Sequence, residues 1–412
     1  MTWRERRIAD LAELVNGHPF ESADFADEGP IPLVRIRDIL NKPFQTFVSR
    51  EVVPEAAFVR DGDVVVGMDG DFNLVYWTRG PAALNQRLCL LRSNGQADTR
   101  FLAYALPSHL KVINDLTYST TVKHLASGQV RGIKMLAPDV SEQRAIADYL
   151  DRETARIDAL MEEQQRLIEL LRERRQSVIE SAAGHGLDGA ATTKASGLSW
   201  VTAVPAHWVV ANIRRFASMK TGHTPSRSKP DYWVDCTIPW FTLADVWQLR
   251  DGKRTYLLDE TANRISPKGL ENSAAELLPA GTVVLSRTAS VGFSGVMPVP
   301  MATSQDFWNW VPGDELDSIY LMWVLRAMQR EFRALMIGST HQTIYQPTAA
   351  AIRIPVPPLD EQRRIAAYLD EQTAKIDILI AETERFVELS RERRSALITA
   401  AVTGQIDVRA AA

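Results

Sequence analysis

The chain has 412 residues, 45% apolar and 24% charged, with a formal net charge of −4. That is enough apolar material for two or three globular cores, and no run approaches the roughly 18 apolar residues of a membrane span. The start, MTWRERR, leads into polar sequence without a signal-peptide stretch, so a cytoplasmic protein is expected. Its two cysteines, Cys89 and Cys236, lie far apart, and no histidine has another His or Cys at metal-ligand spacing. A disulfide framework and a zinc site are both disfavoured.

In chain order, residues 1–141 read as a first mixed unit, with strand-type runs at 64–66 and 88–91 and a helical stretch at 101–110. Residues 142–183 hold no Pro or Gly, and predict a helix of about 42 residues, ~63 Å long at 1.5 Å per residue. A Gly/Ala/Ser/Thr-rich linker follows over 184–207. The second mixed unit, 208–360, has strand-type runs at 283–285 and 308–311 and a helical stretch at 319–336. A second long helix is predicted at 361–402, then a tail at 403–412. Ser141 and Asp360 stand at the expected N-cap positions.

The two halves are copies. EQRAIADYLDRETARID from Glu142 matches EQRRIAAYLDEQTAKID from Glu361 at 12 of 17 positions, an offset of 219 that also pairs Gly62 to Val65 with Gly281 to Val284. Further upstream the offset falls to 207 for Ile31-Pro32 and Ile238-Pro239, then to 205 for Trp3 and Trp208 and for Gly17-His18 and Gly222-His223. The class is therefore α+β: two similar units, each followed by a long helix, the helices pairing as an antiparallel coiled coil. Spacings of 3, 4 and 7 assign its seam to Ile146, Leu150, Ile157, Leu160, Leu167 and Leu171 in the first helix, and to Ile365, Leu369, Ile376, Leu379, Phe386 and Leu397 in the second.

The two helical segments carry 7 basic and 10 acidic side chains and 7 and 8 respectively, which accounts for the whole charge deficit. A nucleic-acid ligand would need local patches or a basic partner, since affinity follows the number of phosphates neutralised. The runs Arg172-Glu173-Arg174-Arg175 and Arg391-Glu392-Arg393-Arg394 read as solvated or partner-docking faces. Enzymatic signatures are missing: there is no GxGxxG and no GxxxxGK[ST]. Asp231, Asp251 and Lys253 formally match a nuclease pattern, but the first copy has Asp24, Phe44 and Thr46 at the aligned positions. Loop residues able to meet base edges and phosphates are more numerous: Lys220, His223, Thr224, Ser226, Arg227, Arg287, Ser290, Gln305, His341, Gln342 and Tyr345 in the second copy, and Arg35, Arg37, Gln86 and Lys123 in the first. No catalytic or metal-binding residue is assigned.

PPLDEQRRIAAYLDEQTAKID from Pro357 to Asp377, then RERRSALI from Arg391 to Ile398, closes a unit that opens with Pro205-Ala206-His207-Trp208 and carries Thr221-Gly222-His223-Thr224-Pro225-Ser226, Tyr232-Trp233 and Ile238-Pro239-Trp240. With its duplication, this pattern resembles the specificity subunit of type I restriction–modification systems over nearly the whole chain. The first copy departs from it, with Ala137-Pro138-Asp139-Val140 replacing the Pro-Pro-Leu lead-in. The resemblance implies two target-recognition domains held apart by paired helices, each reading half of a split, asymmetric sequence in double-stranded DNA. It also implies docking of two modification (methyltransferase) subunits and of restriction/translocase subunits, no catalysis by this chain, and S-adenosylmethionine, ATP and Mg in the partners. Helix length would then act as a ruler for half-site spacing. Two other readings are a scaffold or adaptor that binds modification subunits without reading DNA, and a free-standing nuclease.

Overall fold

The computed structural model describes residues 3–40, 43–117, 122–250, 252–288, 290–334 and 343–408. The chain forms two compact units, Met1–Glu163 with Phe386–Ala412, and Gln164–Arg385. These cut across the blocks expected from the sequence, because each long helix starts in one unit and ends in the other. The expected linker is not free chain: Thr193–Ala195 pairs antiparallel with Ala203–Pro205, and Val201 and Val204 enter the second unit's core. Likewise Val408 in the tail is buried in the first unit's core, with Ile406 packed against it.

Both units build the same sheet. In the first, the order is Ala12–Asn16, Leu88–Ser93, Val64–Gly67, Leu74–Tyr76; in the second, Ala217–Thr221, Phe307–Pro312, Val283–Ser286, Ser294–Val296, all neighbours antiparallel. The inner strands are mostly apolar because both faces are covered, with Asn309 and Ser286 among the few polar residues buried there. Val64 and Val66 pack towards helix α1 (Thr99–Leu116) while Val65 joins Val34 and Trp77 on the other face. In the second unit Val283 and Leu285 join the core around Tyr320 and Trp323, and Val284 joins Phe241 and Phe307. A smaller sheet in each unit carries one parallel pair, Leu33 beside Ala83 and Trp240 beside Ala302.

The long helices α2 (Val140–His185) and α4 (Leu359–Val402) begin earlier than the sequence suggested; α3 (Ser318–Ala327) lies between them in the chain. Ser141 and Asp360 fall inside the first turns. Asp139 caps α2, its carboxylate accepting the Glu142 amide at 3.0 Å, and the Pro358 carbonyl accepts the amides of Glu361 and Gln362 at 2.9 and 3.0 Å. Proline suits that position because the N–H it lacks would have no helical partner.

The repeated motif residues fasten each long helix to its sheet domain. Gln143 is buried; its Oε1 accepts the Asp98 amide at 3.0 Å and its Nε2 donates to the Pro138 carbonyl at 2.9 Å. Gln362, 219 positions on, accepts from the Asp317 amide at 2.8 Å and donates to the carbonyls of Pro357 and Glu315, both at 2.9 Å. Asp98 and Asp317 are the N-caps of α1 and α3, so each glutamine ties one helix start to another. About two turns later, Asp151 accepts the Tyr104 hydroxyl at 2.7 Å, and Asp370 accepts the Trp323 indole N–H at 3.0 Å.

Within each unit the two long helices meet antiparallel. In the second unit Arg172 pairs with Glu384 at 2.8 Å and Arg175 with Asp377 at 2.9 Å; in the first, Arg394 pairs with Asp158 at 2.8 Å. The last arginine of each RERR run is thus an ion-pair partner of the facing helix; Arg172 and Arg174 remain exposed, but the Arg175 side chain is only 13% exposed. The seam also differs from the heptad count. Leu160, Leu167, Leu379 and Phe386 are exposed, whereas Ile168, Ile380 and Val387 are buried. Ile146, Ile157, Ile168 and Ile179, all buried, recur every eleven residues, and Ile365, Ile376, Val387 and Ile398 occupy the same positions in α4. Leu150 and Leu369 are fully buried, while Leu171, Ile376 and Leu397 are half-buried. An eleven-residue period gives 3.67 residues per turn, close to a straight α-helix, whereas a seven-residue stripe drifts by about 20° per repeat. Over six heptads that drift carries the leucine stripe out of the contact.

Candidate nucleic-acid interface

In the second unit the register places Thr221 opposite Trp308 and Trp308 opposite Leu285, so the loops after residues 221 and 286 and the loop before 307 share one end of the sheet. The first of these begins at Gly222, where a Cβ would lie 2.1 Å from the Thr303 carbonyl oxygen; only glycine lets the loop press so close. The His223 amide donates to that carbonyl at 3.0 Å, and the Thr224 hydroxyl donates to the Gln305 side chain at 2.6 Å. The Arg287 amide donates to the Asp306 carbonyl, and the Ile344 amide to the Arg287 carbonyl, both at 3.0 Å. Asp306 is the hub: its carboxylate accepts the hydroxyls of Thr288 at 2.9 Å and Ser304 at 2.8 Å.

This wiring gathers His223, Thr224, Gln305, Arg287 and Tyr345, with His223, Gln305 and Tyr345 exposed. The Arg287 guanidinium lies 4.4 Å from the Trp308 ring centre, and burial lowers its pKa against the opposing pull of Asp306. Ser226 and Arg227 occupy the same loop further out, where Arg227 stands 6.0 Å from the Trp233 ring and the Trp233 indole donates to the Ser226 carbonyl. Two candidates have other work here. Lys220 pairs with Glu276 at 2.7 Å, and buried Ser290 accepts from Arg250 at 3.3 Å. His341 and Gln342 lie outside the described residues, as does Asp251 of the nuclease pattern; Asp231 of that pattern pairs with Lys268 at 3.2 Å. Among the described residues no group of three His, Cys, Asp or Glu could hold a metal ion.

The first unit repeats the loop scaffold. Gly17 presses on Asn85, the His18 amide donates to the Leu84 carbonyl at 2.8 Å, the Met68 amide to the Arg87 carbonyl at 3.0 Å and the Leu125 amide to the Met68 carbonyl at 2.7 Å. Gln86 is exposed at the position of Gln305. Arg35 bonds Asp38 at 3.4 Å, and exposed Arg37 stands 3.8 Å from the same carboxylate, whose burial raises its pKa against the pull of Arg37 and Arg79. Lys123 donates to the carbonyl and side chain of Asn114 at 2.7 and 3.0 Å, closing the end of α1 rather than standing free. Sequence reasoning passed over Asp69, Arg87, Thr288 and Asp306. The 219-residue offset, applied to the loops as well as to the helices, would have aligned them.

A duplicated scaffold is also what similarity to known proteins describes. The model of the type I restriction modification DNA specificity domain matches residues 1–170 and again 205–385. The chain belongs to that family. This specificity chain is 36% identical over 183 residues to the EcoBI type I restriction enzyme specificity subunit of Escherichia coli, a match spanning 44% of this chain and 38% of the relative. The MjaVIII specificity subunit of Methanocaldococcus jannaschii is 21% identical over 425 residues, spanning 99% and 93%. The fold matches a chain from a type I R-M system assembly with a TM-score of 0.69 at 20% identity, covering 98% of both. It also matches the HsdS subunit of Thermoanaerobacter tengcongensis with a TM-score of 0.58 at 18% identity, covering 98% and 97%. No helix among the described residues is long and apolar enough to cross a membrane.

Proposed function

We propose that this chain is the DNA sequence-recognition subunit of a type I restriction–modification complex. Each unit reads one half of a split, asymmetric target in double-stranded DNA through the loops at one end of its main sheet. The long helices dock two modification subunits, and restriction/translocase subunits join them. The chain does no chemistry itself; S-adenosylmethionine, ATP and Mg belong to the partners, and the complex works in the cytoplasm. The observation that carries this reading is the doubled loop scaffold, bonded alike at Gly17 and Gly222, Met68 and Arg287, Leu125 and Ile344, with unlike side chains at Asp69 and Thr288 and at Arg87 and Asp306. Near-neutral charge fits a reader whose phosphate contacts come in part from partners.

Methylation mapping in a host given this chain with its modification subunit tests the proposal. One bipartite sequence should be modified throughout the genome. Co-purification with the modification subunit but no sequence preference would instead favour the adaptor reading.

A further inference from the structure

The two loop scaffolds allow a comparison position by position. An isolated bridge joins Asp69 to His124 in the first unit, and the same bridge joins Thr288 to Thr343 in the second, each 219 positions on. The amide of residue 68 bonds the carbonyl of 87 as that of 287 bonds 306, so Arg87 and Asp306 occupy the same place on the same backbone. His18 and Gln86 have His223 and Gln305 as their equivalents, identical in type. Residues that are the same in both units cannot by themselves make two half-sites differ. At the Arg87 and Asp306 position the hydrogen-bonding sense is inverted, five donors against a carboxylate that only accepts.

Arg87 is also held ready. Its Nη1 lies 3.3 Å from Asp69 Oδ2, and the other Asp69 oxygen bonds His124 Nδ1 at 2.7 Å. The Asp69 side chain is 19% exposed and that of Arg87 60%, so the anchor is largely covered and the guanidinium is presented outward. In the second unit the aspartate at this position is instead tied inward by Thr288 and Ser304.

We propose that Arg87, aimed by Asp69, is a specificity-determining residue that reads a guanine edge in the half-site met by the first unit. An arginine fork matches the O6 and N7 acceptors of guanine, and an anchored fork meets them with little rotamer freedom left to lose. The inference rests on the proposed function and deepens it. The test is selection from a randomised duplex library by the full chain assembled with its modification subunits, as wild type, Arg87→Ala and Asp69→Asn. Wild type should enrich a split motif with a guanine at one position of one half. Arg87→Ala should lower the preference at that base pair alone by roughly 5- to 100-fold and leave the other half-site unchanged. Asp69→Asn keeps the guanidinium charge and should relax the same position to a smaller extent. A split motif that Arg87→Ala leaves intact, or weakens for all sequences alike with a shallower salt dependence, overturns the inference while sparing the function. A wild-type complex that enriches no motif removes both.

Discussion

Gln143 and Gln362 show what the repeated Glu-Gln-Arg motif is for. Each is a buried amide whose bonds run to the backbone of another segment, so the side chain locates the start of a long helix against the N-cap of a domain helix. Replacing Gln362 with leucine would strand the buried Pro357 carbonyl and take away the partner of the part-buried Asp317 amide and Glu315 carbonyl. The expected cost is about 2–4 kcal/mol, with Gln143→Leu milder because its amide donates to one carbonyl rather than two. Denaturant unfolding checks this through the midpoint; a Gln362→Leu chain as stable as the parent would show the clamp to be decorative. The motif was legible as a repeat, but its role was not, because its partners at Asp98 and Asp317 lie 45 positions upstream.

At the level of the elements, the long helices pack along an eleven-residue line that the heptad count misses. Ile168 is 1% exposed and its neighbour Leu167 41%, so the two descriptions make opposite predictions at adjacent residues. Ile168→Ala should lose about 2–4 kcal/mol by opening a cavity, and Leu167→Ala under about 1 kcal/mol. The reverse order in thermal or denaturant unfolding would restore the heptad seam. The strands were easier: the runs at 64–66, 88–91, 283–285 and 308–311 all fall within strands of the two main sheets. Runs of apolar residues this short, bounded by turn residues, have few other ways to bury both faces.

For the molecule as a whole, the proposed function makes the readers modular and the helices a ruler. Exchanging residues 1–141 for the first unit of another family member should change one half of the modified sequence and leave the other intact, as read by methylation mapping. Altered bases in both halves would mean that the units do not read independently. Adding four residues after Leu160 and four after Leu379, about one helical turn each, should lengthen the preferred spacer with both half-sequences kept. An unchanged spacer would take the ruler away from the helices.

The duplication, the α+β class, the two long helices and the family resemblance were all set by sequence, because repeats and periodicity are properties of residues close together along the chain. Tertiary structure alone decided which apolar stripe is buried, that Arg175 and Arg394 pair with aspartates of the facing helix, and that Asp69, Arg87 and His124 meet at one loop cluster. Those facts depend on which distant segments the fold brings within about 3 Å of each other, and no local pattern in the chain encodes that proximity.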